Sequence, residues 1–281
     1  MTELLNRTRA VVQTLSGEET SDGAGVRLTR LIGGPQLMQL DPFLLLDDFR
    51  SDNPDDYIGG FPPHPHRGFE TVTYLLAGKL EHRDNAGHTG VLQAGGVQWM
   101  TAGRGVIHSE MPQQQNGLLA GFQLWVNLPA RDKMTDPRYQ EFDQQEIPLQ
   151  KSNSGVEVRV IAGETSQHTR GPVTELKTPA LFFDITLAAG SQFIEPIKSH
   201  FNAFVYLVDG AVEIGGQSLK GRRLAVLDQA PTIEITAQQS SRLILVAGEP
   251  LAEPIARGGP FVMNSEAEIK QAFKDYQEGR F

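Results

Sequence analysis

Apolar and polar positions alternate with period two through most of this chain, the signature of strands with one buried face. Val26-Arg-Leu-Thr-Arg-Leu-Ile32 shows it, and Gly33-Gly34-Pro35 then turns the chain. Residues 43–46 form an apolar run that Asp47-Asp48-Phe49 closes. Residues 69–76 have the β-branched and aromatic composition of a strand. Gly78 ends that segment, residues 80–83 begin the next, and residues 122–127 read as one more. Gly87, Gly90, Gly95, Gly96, Gly103 and Gly105 punctuate this half at spacings that suit a small barrel or sandwich. Residues 130–145 are polar, contain Pro137 and have no apolar period, so they read as an excursion.

A second set of strands is predicted over residues 156–162, 180–187, 203–208, 211–214, 223–227, 232–236 and 242–247. Asp209-Gly210 and Gly215-Gly216 supply the positive-φ residues that tight hairpins need. Between the sets, residues 149–155 read as an interdomain linker, dividing the chain into 1–148 and 149–281. The halves look like a weak repeat: Tyr74-Leu-Leu-Ala-Gly-Lys-Leu-Glu81 matches Tyr206-Leu-Val-Asp-Gly-Ala-Val-Glu213. One helix is predicted, over residues 266–276, where Ile269, Ala272, Phe273 and Tyr276 fall at helical spacing. The fold class is therefore all-β with a short C-terminal helix.

Composition narrows the function. The chain has 281 residues with a net charge of −9, which disfavours direct nucleic-acid binding, since that rests on Lys and Arg neutralising phosphates. No run approaches the 18 or so apolar residues that span a bilayer. The opening residues, MTELLNRTRAVVQTLSGEE, carry acids early and lack an apolar core. They do not read as a secretory signal, so a cytoplasmic location is expected. The chain has no cysteine, which excludes thiolate ligands, iron–sulfur clusters and disulfides.

Two short pairs carry the chemistry: His64-Pro-His66 and His108-Ser-Glu110. In each, the i, i+2 spacing puts both side chains on one face of a strand. Two strands of one antiparallel sheet can then aim three imidazoles and a carboxylate at one point. A lone histidine is more often a core or surface residue, but two such pairs together point to a mononuclear metal site. Imidazole and carboxylate without sulfur suit iron, and related sets suit copper, nickel or manganese. In the second half only His200 remains, with no partner two positions away.

Long motifs carry a resemblance. Phe61-Pro-Pro-His-Pro-His-Arg-Gly-Phe-Glu-Thr-Val-Thr-Tyr-Leu-Leu76 and Gln98-Trp-Met-Thr-Ala-Gly-Arg-Gly-Val-Ile-His-Ser-Glu-Met-Pro112 resemble the signature motifs of the pirin family, within the cupin superfamily. Gly87-His-Thr-Gly90, residues 122–129 and Gly259-Pro-Phe-Val-Met-Asn264 match as well. The resemblance implies two cupin-type β-barrels in one chain, a bicupin, with metal only in the first. It places the ligands at His64, His66, His108 and Glu110, with Fe2+ as the usual ion. The general cupin pattern would instead use Glu70, which by parity shares the face of His64 and His66 if the strand stays regular and is expected here to orient a ligand histidine. Arg67 should point away from the metal as a structural cation. Trp99 and Met100 should be core, His82 and His88 structural or near the rim, and His168 without a role.

Two functions follow from the resemblance. Some pirin-like proteins are similar to quercetin 2,3-dioxygenases, which open a flavonol ring with O2 and release CO. Here Glu110 would be the catalytic base, and the partners a small aromatic substrate and O2. The alternative is an iron-binding, redox-sensing regulator that binds a transcription factor or a metabolic enzyme. Monomer is the default expectation, because a bicupin packs two barrels in one chain.

Overall fold

Strand alternation decides which face of each segment is buried, and two sets of strands bury theirs separately. The computed structural model describes residues 7–281. Residues 1–6, the start of the segment that does not read as a signal, lie outside the described residues. The chain divides into a first unit, Glu18–Gln144 with Leu251–Phe281, and a second unit, Met1–Gly17 with Gln145–Pro250. Val11–Leu15 pairs with Arg223–Leu227 in the second unit. The C-terminal helix, Glu266–Gln277, belongs to the first.

In the first unit a seven-stranded antiparallel sheet faces a four-stranded one. The large sheet runs Arg138–Phe142, Val97–Thr101, Phe69–Ala77, Leu119–Asn127, Phe43–Ser51, Val26–Ile32, Glu18–Asp22. The small sheet runs Phe61–His66, Val106–Pro112, Lys79–Asp84, Thr89–Gln93. The second unit repeats the same plan, again with seven and four strands. The fold is thus two cupin domains, although among the described residues the strand pairings leave the sheets as open pairs and not closed barrels.

Several segments differ from expectation. The run at residue 43 continues to Ser51 with Asp47 and Asp48 inside it, buried at 3% and 5% exposure. Asp47 is held there by Arg30, whose Nε and Nη2 donate to its two oxygens at 2.9 and 2.7 Å. Part of the supposed linker, Leu149–Lys151, is an edge strand paired with Val156–Ala162. The polar excursion contains the edge strand Arg138–Phe142 and one fully buried cation, Lys133.

The helix starts at Ser265, whose hydroxyl accepts from the Glu268 amide and donates to the Glu268 carboxylate, which also accepts from the Asn264 amide. Its buried Ile269 and Ala272 pack with Ala256, Phe261 and Met263, while Phe273 and Tyr276 stay about two-fifths exposed. Arg67, buried as a structural cation, fastens the helix to the strand region: its Nη1 donates to Asp275 at 2.6 Å, and its guanidinium lies 4.3 Å from the Phe281 ring.

Lys133 Nζ donates to the Gly68 carbonyl (2.8 Å), Asn127 Oδ1 (2.8 Å) and the Val262 carbonyl (3.0 Å). Lys133→Met removes three buried hydrogen bonds and is expected to cost about 3 kcal/mol in urea unfolding at pH 7. Burial lowers the Lys133 ammonium from 10.5 to about 8, against the attraction of Glu253 and Glu268. Between those values the unfolded chain keeps a proton that the native state has released. Stability attributable to this group should therefore rise with pH from about 8 upward, and Lys133→Met should remove that rise.

Candidate metal centre

Pro62, Pro63 and Pro65 restrict the backbone of Phe61–His66, which is tolerated because this strand is an edge of the small sheet. Within it His64 and His66 share a face, and His108 sits directly opposite His64 on Val106–Pro112. The three rings gather tightly. Centroids are 4.6 Å apart for His64–His66, 4.5 Å for His64–His108 and 5.1 Å for His66–His108. One ring nitrogen from each lies within 4.8 Å of the others. His64 Nε2 and His66 Nε2 are 3.0 Å apart, and His64 Nδ1 is 2.9 Å from the Pro62 carbonyl, which orients that ring.

Burial, and then the neighbouring histidines, hold His66 and His108 well below the ordinary imidazole value; the Pro260 carbonyl opposes the shift at His66. Both rings are therefore neutral at pH 7, the form that ligates metal. His66 Nδ1 and both ring nitrogens of His108 are buried with no hydrogen-bond partner among the described residues. Buried polar atoms without partners are rare. Three converging imidazoles, two of them neutral with orphaned ring nitrogens, fit a divalent first-row cation.

Glu110 takes a different place from the histidines. The strand register slips between His108 and Glu110, so Glu110 stands opposite Phe61. Its carboxylate is buried and lines the same cavity as His64 and His66, but lies outside the tight group of ring nitrogens. Thr73 Oγ1 lies 2.8 Å from Glu110 Oε1 and 2.7 Å from Gln123 Oε1.

Glu70 does not follow the expected parity. The rule needs a regular strand from His64 to Glu70, and Gly68 breaks it with φ of +89°. Glu70 is thereby turned to accept from Trp99 Nε1 at 2.9 Å and Thr101 Oγ1 at 2.7 Å. These bonds lock the inner strands of the large sheet, in place of the histidine-orienting role expected from spacing. Trp99 and Met100 are buried core residues, and His168 is an exposed loop residue beside Glu164.

A cavity of about 520 Å³ opens beside the histidines. Trp125 forms one wall, edge-on to His66 at 5.2 Å and tilted against Phe69 at 4.3 Å. The Arg257 guanidinium lies 5.0 Å from the Trp125 ring. Spacing gives no signal for Arg257, because only the chain's return after the second strand set brings it here. A row of polar residues crosses the large sheet in register: Arg30, Asp47, Gln123, Thr73, Gln98 and Glu141.

Paired sheets with this histidine cluster in one of two like units define a two-domain cupin. The chain belongs to the pirin family: residues 25–126 match the Pirin model and residues 182–281 the Pirin C-terminal cupin domain. It is 48% identical to a pirin-like protein of Caulobacter vibrioides, covering 97% of this chain and 99% of that one. It is 44% identical to a candidate quercetin 2,3-dioxygenase of Pseudomonas aeruginosa, over 98% and 99%. The crystal structure of a quercetin 2,3-dioxygenase from Acinetobacter baumannii superimposes with a TM-score of 0.90, at 34% identity, over 98% and 99%.

Gly68 is the hinge of the site, since a Cβ there would fall 2.0 Å from the Val262 carbonyl. Gly68→Ala should therefore displace His66. Metal affinity measured by chelator competition should fall at least about tenfold, because the misfit exceeds the ~1.4 kcal/mol that a tenfold change needs.

Proposed function

We propose that this chain is a metal-dependent dioxygenase of the pirin type, which opens the central ring of a flavonol such as quercetin with O2 and releases CO. The observation that carries the reading is the cluster of His64, His66 and His108, of which His64 and His66 line, with Glu110, a cavity within the roughly 300–1,000 Å³ range of small-molecule sites. Similarity to proteins named as quercetin 2,3-dioxygenases supports the substrate class.

In this reading His64, His66 and His108 hold the ion, Glu110 completes the set, and iron is the metal. A divalent ion bound there supplies Lewis acidity, lowering the pKa of a coordinated hydroxyl. The protein's own residues do the rest. Trp125 and Phe61 offer flat apolar surface to a planar aromatic substrate. Glu110 takes the flavonol hydroxyl proton on a carboxylate oxygen. The Thr73 hydroxyl, bonded to Glu110 Oε1, fixes the carboxylate's orientation while it does so. Burial of His66 and His108 keeps competing protons off those two ligand nitrogens.

The test is aerobic quercetin consumption, followed by its long-wavelength absorbance and by CO release, with Fe2+-loaded protein. His66→Ala should lose metal and turnover together. Glu110→Gln should keep the three imidazoles and lower kcat by about 10²–10⁴, the usual worth of a general base. Unchanged turnover in Glu110→Gln would remove Glu110 as the base. No turnover in protein carrying one equivalent of iron would overturn the enzyme reading in favour of the iron-sensing regulator.

A further inference from the structure

His82 lies in the Lys79–Asp84 strand, and His88 lies in the turn leading to Thr89–Gln93. Both thus belong to the outer hairpin of the small sheet. Glu141 lies on Arg138–Phe142, the edge of the large sheet. One nitrogen from each histidine and a Glu141 oxygen lie within 4.8 Å of one another. The separations to Glu141 Oε2 are 3.0 Å from His82 Nε2 and 3.7 Å from His88 Nε2.

Three further observations bear on what this group holds. His82 is only 3% exposed, yet neither its Nε2 nor that of His88 makes a hydrogen bond of acceptable geometry among the described residues. The oxygen stands close to His82 Nε2 without lying where a ring N–H would point. That arrangement suits atoms converging on a common ion: ligands at about 2.0–2.2 Å from a zinc stand roughly 3–3.5 Å apart. Next, Gly90 faces His82 across the hairpin. A Cβ at Gly90 would fall 2.5 Å from His82 Nε2 and 3.0 Å from Glu141 Oε1, so the missing side chain is the space in which ring and carboxylate meet. Last, the Tyr139 ring stacks on His88 at 4.3 Å and fixes its plane.

We propose that His82, His88 and Glu141 form a second metal site, which takes a divalent transition cation of the zinc class at the rim of the first unit. Two imidazoles and one carboxylate are a common protein ligand set for zinc, with water on the remaining position. The half-exposed His88 and Glu141 give the ion an entry path, while buried His82 anchors it. The site spans the open edge of the sandwich, where Arg138–Phe142 and the outer hairpin belong to different sheets. A bound ion therefore acts as a clasp between the sheets, separate from the His64, His66 and His108 cluster.

The test is metal stoichiometry on the full chain, stripped with chelator and titrated with Zn2+ at micromolar concentration. Wild type is expected to bind two equivalents, His88→Ala one, His66→Ala one, and the double variant none. His88 lies on a half-exposed turn, so its loss should leave the fold intact, as circular dichroism would check. Gly90→Ala keeps all three ligands but fills their meeting point, and should lose the same equivalent as His88→Ala. Zn2+ should also raise the melting temperature of His66→Ala but not of the double variant. A single equivalent in wild type overturns the proposal. So does a second equivalent that survives in His88→Ala, or one that binds only at millimolar Zn2+.

Discussion

The turn at Arg67-Gly68 is the constraint on which the rest of the first unit depends. It joins the strand bearing His64 and His66 to the central strands of the large sheet, and therefore sets where the imidazoles point. Only a residue without a Cβ tolerates both its positive φ and the approach of the Val262 carbonyl. Lys133 then clamps the Gly68 and Val262 carbonyls with one buried ammonium, while Arg67 is held by Asp275 of the C-terminal helix. A buried cation with three acceptors is directional in a way that apolar packing is not. It holds one geometry at the point where the site needs one.

The two units have like strand orders but opposite interiors. In the first, inward positions of the large sheet carry Arg30, Asp47, Gln123, Thr73, Gln98 and Glu141, each supported by a neighbour in register. In the second, a large buried apolar cluster includes Phe183, Ile185, Val205, Leu243 and Leu245, with Glu195 and Asp184 buried as well. Phe193, Ile233 and Ile235 belong to that cluster from the small sheet, whose counterpart in the first unit bears the histidines. Such a core gains stability from every buried side chain, at roughly 25 cal/mol per Å². The polar interior instead spends part of that gain to keep imidazoles, a carboxylate and a cavity together. Like strand orders thus surround a histidine cluster and cavity in one half and a large apolar core in the other.

Much of this was legible before the structure. The strands at 156–162, 180–187, 211–214 and 223–227 match their observed bounds, because each has a clear period and a turn signal on both sides. The three histidines were legible because i, i+2 spacing survives in any regular strand. Glu70 misled for the complementary reason: its parity was counted through Gly68, where the strand is not regular. Arg257 and Trp125 were silent as site residues, since nothing local marks a side chain that a distant return of the chain brings to a cavity. His82 and His88 read as structural or rim residues. Their meeting with Glu141 depends on hairpin register and on the absence of a side chain at Gly90.

By itself the sequence determined the all-β class, the repeated plan, the C-terminal helix and the pairing of His64 with His66 on one strand face. These rest on local rules, namely period, turn chemistry and short spacing, which act within a few residues. The tertiary structure alone decided that Glu110 stands opposite Phe61, which half receives the C-terminal helix, and which polar residues line up across the sheet. Those outcomes depend on register and on long-range burial. A one-residue slip, as between His108 and Glu110, changes what a side chain faces without altering the pattern along the chain.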